Sequence, residues 1–523
     1  MFSATRVTES DLKAKGRKVI RRDGKQILLL AREGRVFAIA NRCPHEGYPL
    51  SEGTEGPGCV LTCNWHNWKF DLATGEALVG RDPVRTYGVE IRDGENFLDL
   101  SDPPAELQRE RALKGLEAAL LDNDMTRMAR EMARLERAGF EAREALVHAI
   151  GFLNDRLENG STHAHGAAAN WLALSDAAPT PQTRFTAILE PIAHLAWDTM
   201  GAPRFPYADE SAEWDAKAYL AAVEGENEAK AVAHIRGAVA VGISYSELMP
   251  VLGEAALVHY ADFGHSAIYT VNIGELIARL DGRAYEPLAL ALTRAFVRAT
   301  REERLPEFRF YDKALAAWNG KGDAPVRAED FIGLNVDAIL KRTLESSGRP
   351  AHEVYDALMG AGAWNLLHFD LAFASAADNA IADNVSWLDF THALTFARAA
   401  RTICAHRPGL WPRALLQMAL FVGRNRKYVR AEEDAARWRV DDRAAFLARE
   451  TATLYDHGIV EPIIACHRLK VLTALNRELD ETPDAPWGDA MCAAVNRFLN
   501  IPMKRHHGLR SAAQALDFIA KEG

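Results

Sequence analysis

The chain has little cysteine, no long apolar run and no stripe of positive charge, and each shortage removes a class of protein. Six cysteines in 523 residues (Cys43, Cys59, Cys63, Cys404, Cys466 and Cys492) are too few and too unevenly placed for a disulfide framework. No apolar run approaches the roughly 18 residues that cross a bilayer, and the opening MFSATRVTESDLKAKGRKV lacks the apolar stretch of a signal peptide. A cytoplasmic protein with no membrane partner is expected. The net charge of −10, with no basic cluster able to neutralise phosphates, excludes nucleic acid as a partner. No G-x-G-x-x-G loop occurs, since GAGAW and GKGDAP both miss its spacing, so the chain has no dinucleotide site of that kind.

What is present is unevenly distributed. Residues 41 to 76, NRCPHEGYPLSEGTEGPGCVLTCNWHNWKFDLATGE, hold half of the cysteines beside two histidines. Cys43 and His45 form C-x-H, Cys63 and His66 form C-x-x-H, and seventeen residues separate His45 from Cys63. Two loops that each supply one thiolate and one imidazole suit a [2Fe–2S] cluster in which two Cys hold one iron and two His the other. Tetrahedral zinc also accepts two Cys and two His. GRKVIRRD, KQILLLAREG, RVFAIANR and WKFDLATGE read as short strands, with Gly47, Pro49, Gly53, Gly56, Pro57 and Gly58 supplying turns. A small β-domain is expected over residues 1–102.

Cys43-Pro44-His45, Leu50-Ser51-x-Gly53, Cys63-x-Trp65-His66, Trp68-x-Phe70-Asp71 and Thr74-Gly75 together resemble the Rieske domain family. The resemblance implies a Rieske-type [2Fe–2S] cluster held by Cys43, His45, Cys63 and His66. Two positions depart from the family pattern: Asn64 stands where Pro is common and Asn67 where Gly is common. Neither removes a ligand. Cys59 has no second extra cysteine to pair with and is expected to be a buried thiol.

After SDPPAELQ the texture changes. Residues 103–523 are rich in Ala, Leu, Arg and Glu, and apolar residues recur every three or four positions in MTRMAREMARLERAG, AREALVHAIGFLNDRL and LGEAALVHYADFGHSAIYTVNIGELIARL. A large all-α domain is expected to follow the all-β one. This excludes the curved β-sheet catalytic domain of ring-hydroxylating oxygenases and its iron held by two histidines and a carboxylate. Asp262-Phe263-Gly264-His265 and Asp389-Phe390-Thr391-His392 begin that iron motif, but neither has another histidine close behind. A ferritin-like di-iron site is also excluded, because no histidine has Glu three residues before it.

Fifteen histidines remain in the helical part, an ordinary number. Several sit in pointed company: His163 and His165 open a helix of small residues, and Asp262 and Asp389 each precede a histidine by one turn, placed to orient His265 and His392. His457 and Glu461 are four apart. The pattern from about 150 to 475, including His163-Ala164-His165, the histidine leading AIYTVNIGEL, the segment around His392 and Asp456-His457-Gly458, is similar to the questin oxidase family. That resemblance implies an all-helical non-haem Fe(II) enzyme that uses O2 on anthraquinone-type rings, with metal held largely by histidines. The expected iron ligands are His165, His265, His392 and His457, with Glu461 a further candidate, and the expected orienting groups are Asp262 and Asp389. Pro462 pushes the residue before it out of helical geometry, and Glu190-Pro191 shows the same local form, so Glu461 reads as a helix cap before it reads as a ligand.

Two functions fit. In one, the cluster feeds a histidine-bound iron that activates O2 against an aromatic or polyketide-like small molecule. In the other, the cluster is a non-catalytic electron carrier or redox sensor and the helices are a docking scaffold. Either needs a separate NAD(P)H-dependent reductase or ferredoxin as electron source, and a homo-oligomer would allow one subunit's cluster to serve its neighbour.

Overall fold

The computed structural model describes residues 2–22, 24–503 and 507–521. The chain groups into two compact units, Met1–Gly115 and Leu116–Gly523. The divide falls within the helix Ala105–Leu121, a little beyond the prolines expected to mark it at 102.

Among the described residues the first unit contains ten strands: β1 (Phe2–Thr8), β2 (Arg17–Arg22), β3 (Lys25–Arg32), β4 (Arg35–Ala40), β5 (Thr54–Glu55), β6 (Val60–Thr62), β7 (Lys69–Asp71), β8 (Ala77–Val79), β9 (Thr86–Arg92) and β10 (Glu95–Asp99). Six form an antiparallel sheet ordered β1-β10-β9-β4-β3-β2, and four form a smaller one ordered β5-β6-β7-β8. Successive side chains of a strand point to opposite faces, and β3 uses both. Ile27 and Leu29 pack with Val7, Leu12, Ala38, Tyr87 and Leu98, while Leu28 and Leu30 pack with Phe37, Ile39, Leu50, Leu61, Phe70 and Leu72. Burial on both faces explains why ILLL reads as an unbroken apolar run. Cys43 and Cys63 lie in the second of these clusters.

The second unit is built of helices joined by loops, and its β-pairing among the described residues is limited to the isolated bridges Ala261–Arg301 and Phe369–Val429. Four helices matter for the site: His163–Asp176, His265–Arg279, Trp387–His406 and Pro462–Glu481. The first packs on the second and the fourth, and the third packs on the second and the fourth, closing a ring. Small residues let the backbones approach. A Cβ on Gly166 would come within 2.9 Å of the Tyr269 ring, so no larger residue fits there without displacing the neighbouring helix. Thr162 and Ser386 cap the first and third helices, and Pro462 opens the fourth. No helix among the described residues is long and apolar enough to cross a membrane.

Candidate metal centres

Two loops of the β-unit face each other. In one, the Cys43 N–H donates to the Tyr48 carbonyl at 2.8 Å, and in the other the Cys63 N–H donates to the Trp68 carbonyl at 2.7 Å. Each loop therefore presents its cysteine inward and its histidine outward: both thiols are buried, whereas His45 is half-buried and His66 exposed. The two imidazole Nδ1 atoms stand 3.0 Å apart with their rings crossed at 83°. Burial, with the adjacent Cys63 thiol contributing, pushes the Cys43 thiol up to about 11. Paired thiols on one side and converging imidazole nitrogens on the other are the donor set of a cluster with one Cys-bound and one His-bound iron. Trp68 stacks on His45 at 4.8 Å between centroids, and the Trp65 indole N–H donates to Glu46 at 3.0 Å. Asn67 has φ of 60°, which explains why Asn can replace Gly: its short polar side chain tolerates the left-handed region. Asn64 braces the second loop, donating to the Glu52 carbonyl at 2.8 Å and accepting from the Thr54 hydroxyl at 2.9 Å. Cys59 departs from expectation. It sits at a surface turn with φ of 58°, half-buried, its thiol donating to Glu33 at 3.4 Å.

In the helical unit four imidazoles meet at the centre of the ring. His265 Nε2 lies 3.1 Å from His163 Nε2 and 2.8 Å from His392 Nε2. His467 completes the group: ligand nitrogens of His163, His392 and His467 all lie within 4.8 Å of one another. Each helix of the ring thus supplies one imidazole. The tautomers are set from behind. His392 Nδ1–H donates to the Leu388 carbonyl at 2.5 Å, His467 Nδ1–H donates to the Ile463 carbonyl at 2.7 Å, and Asp262 Oδ2 stands 3.4 Å from His265 Nδ1. These contacts leave Nε2 lone pairs facing inward, the usual means of orienting imidazole toward a metal. The His467 Nε2 has no hydrogen-bond partner among the described residues although it is fully buried, which an apolar core would not tolerate without cost. Burial, reinforced by the neighbouring imidazoles and by the Lys470 amine, holds His163, His392 and His467 well below the ordinary histidine value, so they stand neutral with lone pairs free. Lys470, one turn beyond His467, is itself lowered by burial.

The geometry redraws the expected ligand set. His265 and His392 are in the group; His165 and His457 are not. The His165 Nδ1 accepts from the Thr162 N–H at 3.2 Å, closing the cap of its helix and turning the ring away, and its neighbour His163 faces the centre instead. His457 lies on a turn with Nε2 3.2 Å from Glu190 and Nδ1 accepting from the Ile459 N–H at 3.0 Å. Glu461 is the extended N-cap residue of the Pro462–Glu481 helix and makes no side-chain cap bond; His467 lies six residues further on. Asp262 stands beside His265 as expected. Asp389 does not stand beside His392: its carboxylate caps its own helix through the Ser386 N–H at 2.8 Å and accepts from Arg424 at 2.8 Å, and the Leu388 carbonyl orients His392 instead. His467 and Lys470 had a signal in the sequence: both fall on the apolar face that Ile464, Val471 and Ala474 trace along the last helix of the ring.

Two loops giving one thiol and one imidazole apiece, on a small two-sheet β-domain, define an iron–sulfur protein with mixed Cys/His ligation. Residues 5–88 match the family described as the Rieske [2Fe-2S] domain. The chain is 35% identical over 78 residues to the 3-phenylpropionate/cinnamic acid dioxygenase ferredoxin subunit of Photorhabdus laumondii, a stretch covering 14% of this chain and 74% of that protein. Through this unit the chain belongs to the Rieske [2Fe–2S] family. It is also 30% identical over 149 residues to the terminal oxygenase component of carbazole 1,9a-dioxygenase from Sphingomonas, covering 24% of this chain and 36% of the relative. With the 4beta-methylsterol monooxygenase of Methylococcus capsulatus it shares 37% identity over 112 residues, 18% of this chain and 30% of the other. The chain thus spans about a third of the length of these two oxygenases. Among solved structures, the ferredoxin of carbazole 1,9a-dioxygenase from Nocardioides aromaticivorans is similar at 26% identity, covering 19% of this chain and 99% of that one, with a TM-score of 0.18.

Proposed function

We propose that the chain is a self-contained oxygenase in which the Rieske cluster passes electrons to a non-haem iron held by His163, His265, His392 and His467, for use with O2 against an aromatic or polyketide-like small molecule. The observation that carries this reading is the convergence of four imidazoles, one from each helix of a ring, with His392 and His467 buried and His163 and His265 half-buried. Bound there, iron would supply one-electron chemistry and positions open to O2. The residues of the chain do the rest. The Leu388 and Ile463 carbonyls and the Asp262 carboxylate hold the ring nitrogens in register. Tyr269, stacked on His265 at 5.3 Å between centroids, has its hydroxyl 3.4 Å from His163 Nδ1. Burial raises the Tyr269 phenol well above its ordinary value, so it stays protonated. In the β-unit the half-exposed His45 and exposed His66 form the edge where an electron from a separate reductase or ferredoxin would enter.

The competing reading, an electron carrier or sensor with a helical docking unit, leaves the four imidazoles without a task. Iron content separates the two. The oxygenase should hold about three irons per chain, two in the cluster and one more, whereas a carrier should hold about two. Mass spectrometry of wild type and His265→Ala, both with the cluster's paramagnetic signal intact, is the test; two irons in both proteins would leave the carrier.

A further inference from the structure

His265 enters its helix through a left-handed corner. Asp262, Phe263 and Gly264 have φ of 49°, 48° and 79° in succession. Two adjacent non-glycine residues in this region are costly, and such a conformation persists only where the surroundings impose it. Gly264 is required: a Cβ there would lie 2.6 Å from the Phe396 ring. The rest of the corner is imposed by the segment facing it. The Asp262 N–H donates to the Thr300 carbonyl at 2.8 Å, the Glu302 N–H donates to the Tyr260 carbonyl at 2.9 Å, and Ala261 bridges Arg301. The second residue of the corner, Phe263, donates its N–H to the Glu302 carboxyl at 3.0 Å. Glu302 is 1% exposed. The neighbouring acid Glu303 is engaged by His259 Nδ1 at 2.6 Å, so Glu302 is the one left to serve the corner. The Arg424 guanidinium covers the Phe263 ring at 4.6 Å and fixes its outer side.

We propose that Glu302 is a positioning residue for the histidine quartet: its carboxyl group holds the left-handed corner that sets where the His265 imidazole and the Asp262 carboxylate stand. This rests on the reading of the quartet as a metal site. Glu302 touches no imidazole. It acts through one backbone N–H, two residues of chain away from the one whose ring must meet His163 and His392. A part-buried N–H deprived of its acceptor would seek another partner, and unwinding the corner to reach one would move Asp262 and the first turn of the helix together.

The test uses the full-length protein with its cluster loaded, in wild type, Glu302→Gln, Glu302→Asp and Glu302→Leu. Fe(II) affinity of the helical site is measured by chelator competition, and Co(II) substituted at that site reports ligand geometry through its visible spectrum. Glu302→Gln retains an acceptor oxygen of the same reach and should keep wild-type affinity and spectrum. Glu302→Leu should weaken binding about 10- to 100-fold, as outer-shell changes commonly do, and shift the Co(II) bands. Glu302→Asp, which keeps the carboxyl group but falls short of the N–H, should show a smaller loss of the same sense, and it decides the matter if the leucine variant does not fold. Wild-type binding and spectrum in Glu302→Leu or, failing that, in Glu302→Asp would overturn the positioning role while leaving the metal site standing. Equal losses in Glu302→Gln and Glu302→Leu would overturn it too, because the N–H acceptor would then not be what matters. A wild type that binds neither ion removes the metal site and this role with it.

Discussion

The two candidate centres are built in opposite ways. In the β-unit the four donors fall within the 24 residues from Cys43 to His66, on two loops of one small fold. In the helical unit the four donors are spread from His163 to His467, and each reaches the centre because a different helix carries it there. A local site is specified by spacing, so a few loop residues can hold it in unrelated surroundings. A dispersed site is specified by packing, so it depends on every contact that sets four helices in register.

The largest expected effect breaks the first centre and leaves the second. Cys63→Ala should abolish the cluster and its colour, because one thiolate cannot hold an iron that needs two from the protein, while the helical site should keep its metal. Loss of both on iron analysis would show that the two centres are not independent. Next in size is the contrast between histidines that converge and histidines that do not. His467→Ala should remove the additional iron, whereas His457→Ala, whose ring is engaged with Glu190 and the Ile459 N–H, should retain it. The reverse outcome would return the ligand set to the one expected from sequence.

That contrast also marks how far the sequence could be read. In the β-unit the ligand loops and four of the strands were legible, because C-x-H and C-x-x-H are short-range patterns and the short apolar runs KQILLLAR and RVFAIA are bounded by turn residues. The helical class was legible from three- and four-residue recurrence. The quartet was half legible. His265 and His392 were found through a preceding Asp, yet for His392 that clue pointed to the right residue for the wrong reason: Ser386-x-x-Asp389 is a capping box, a purely local feature. His163 and His165 are two apart and so lie on different faces of one helix, and only the cap bond to His165 decides which faces inward. His467 had no polar neighbour to advertise it, since its orienting group is a backbone carbonyl, which every residue possesses.

Stability should respond differently in the two units. Leu61→Ala empties part of the small core beside the cysteines and should cost about 2–5 kcal/mol. Gly166→Ala in the helical unit adds a single carbon against the Tyr269 ring and should cost about 1–3 kcal/mol through overpacking, because the tyrosine is wedged between helices and has little room to yield. Denaturant titration measures both. A neutral Gly166→Ala would mean that the ring of helices is looser than its contacts suggest, and the dispersed site less dependent on register than argued above.

The smallest expected effect concerns pH and belongs to the helical unit alone. His259 lies between two carboxylates, Nδ1 at 2.6 Å from Glu303 and Nε2 at 2.7 Å from Glu224, with Arg301 also on Glu224 at 3.1 Å. The hydrogen bond to Glu303, outweighing partial burial and helped by Glu224, raises this histidine above its ordinary 6.5. The folded chain thus prefers the imidazolium, whose stabilisation is fully present below 6.5 and is lost as pH climbs through the raised value. Glu302 acts in the same sense: burial pushes its carboxyl up to about 8, so the folded form is favoured with the proton on, and that preference is lost as pH rises from the ordinary carboxylate range toward 8. The melting temperature of the helical unit should therefore fall as pH rises from 6.5 toward 8. His259→Gln should flatten the slope by no more than about 1 kcal/mol across that range, because Glu224 is half-exposed and its share is screened. An identical slope in wild type and variant would show that the histidine is not charged between its two carboxylates, and would leave Glu302 as the group that makes the segment facing the left-handed corner sensitive to pH.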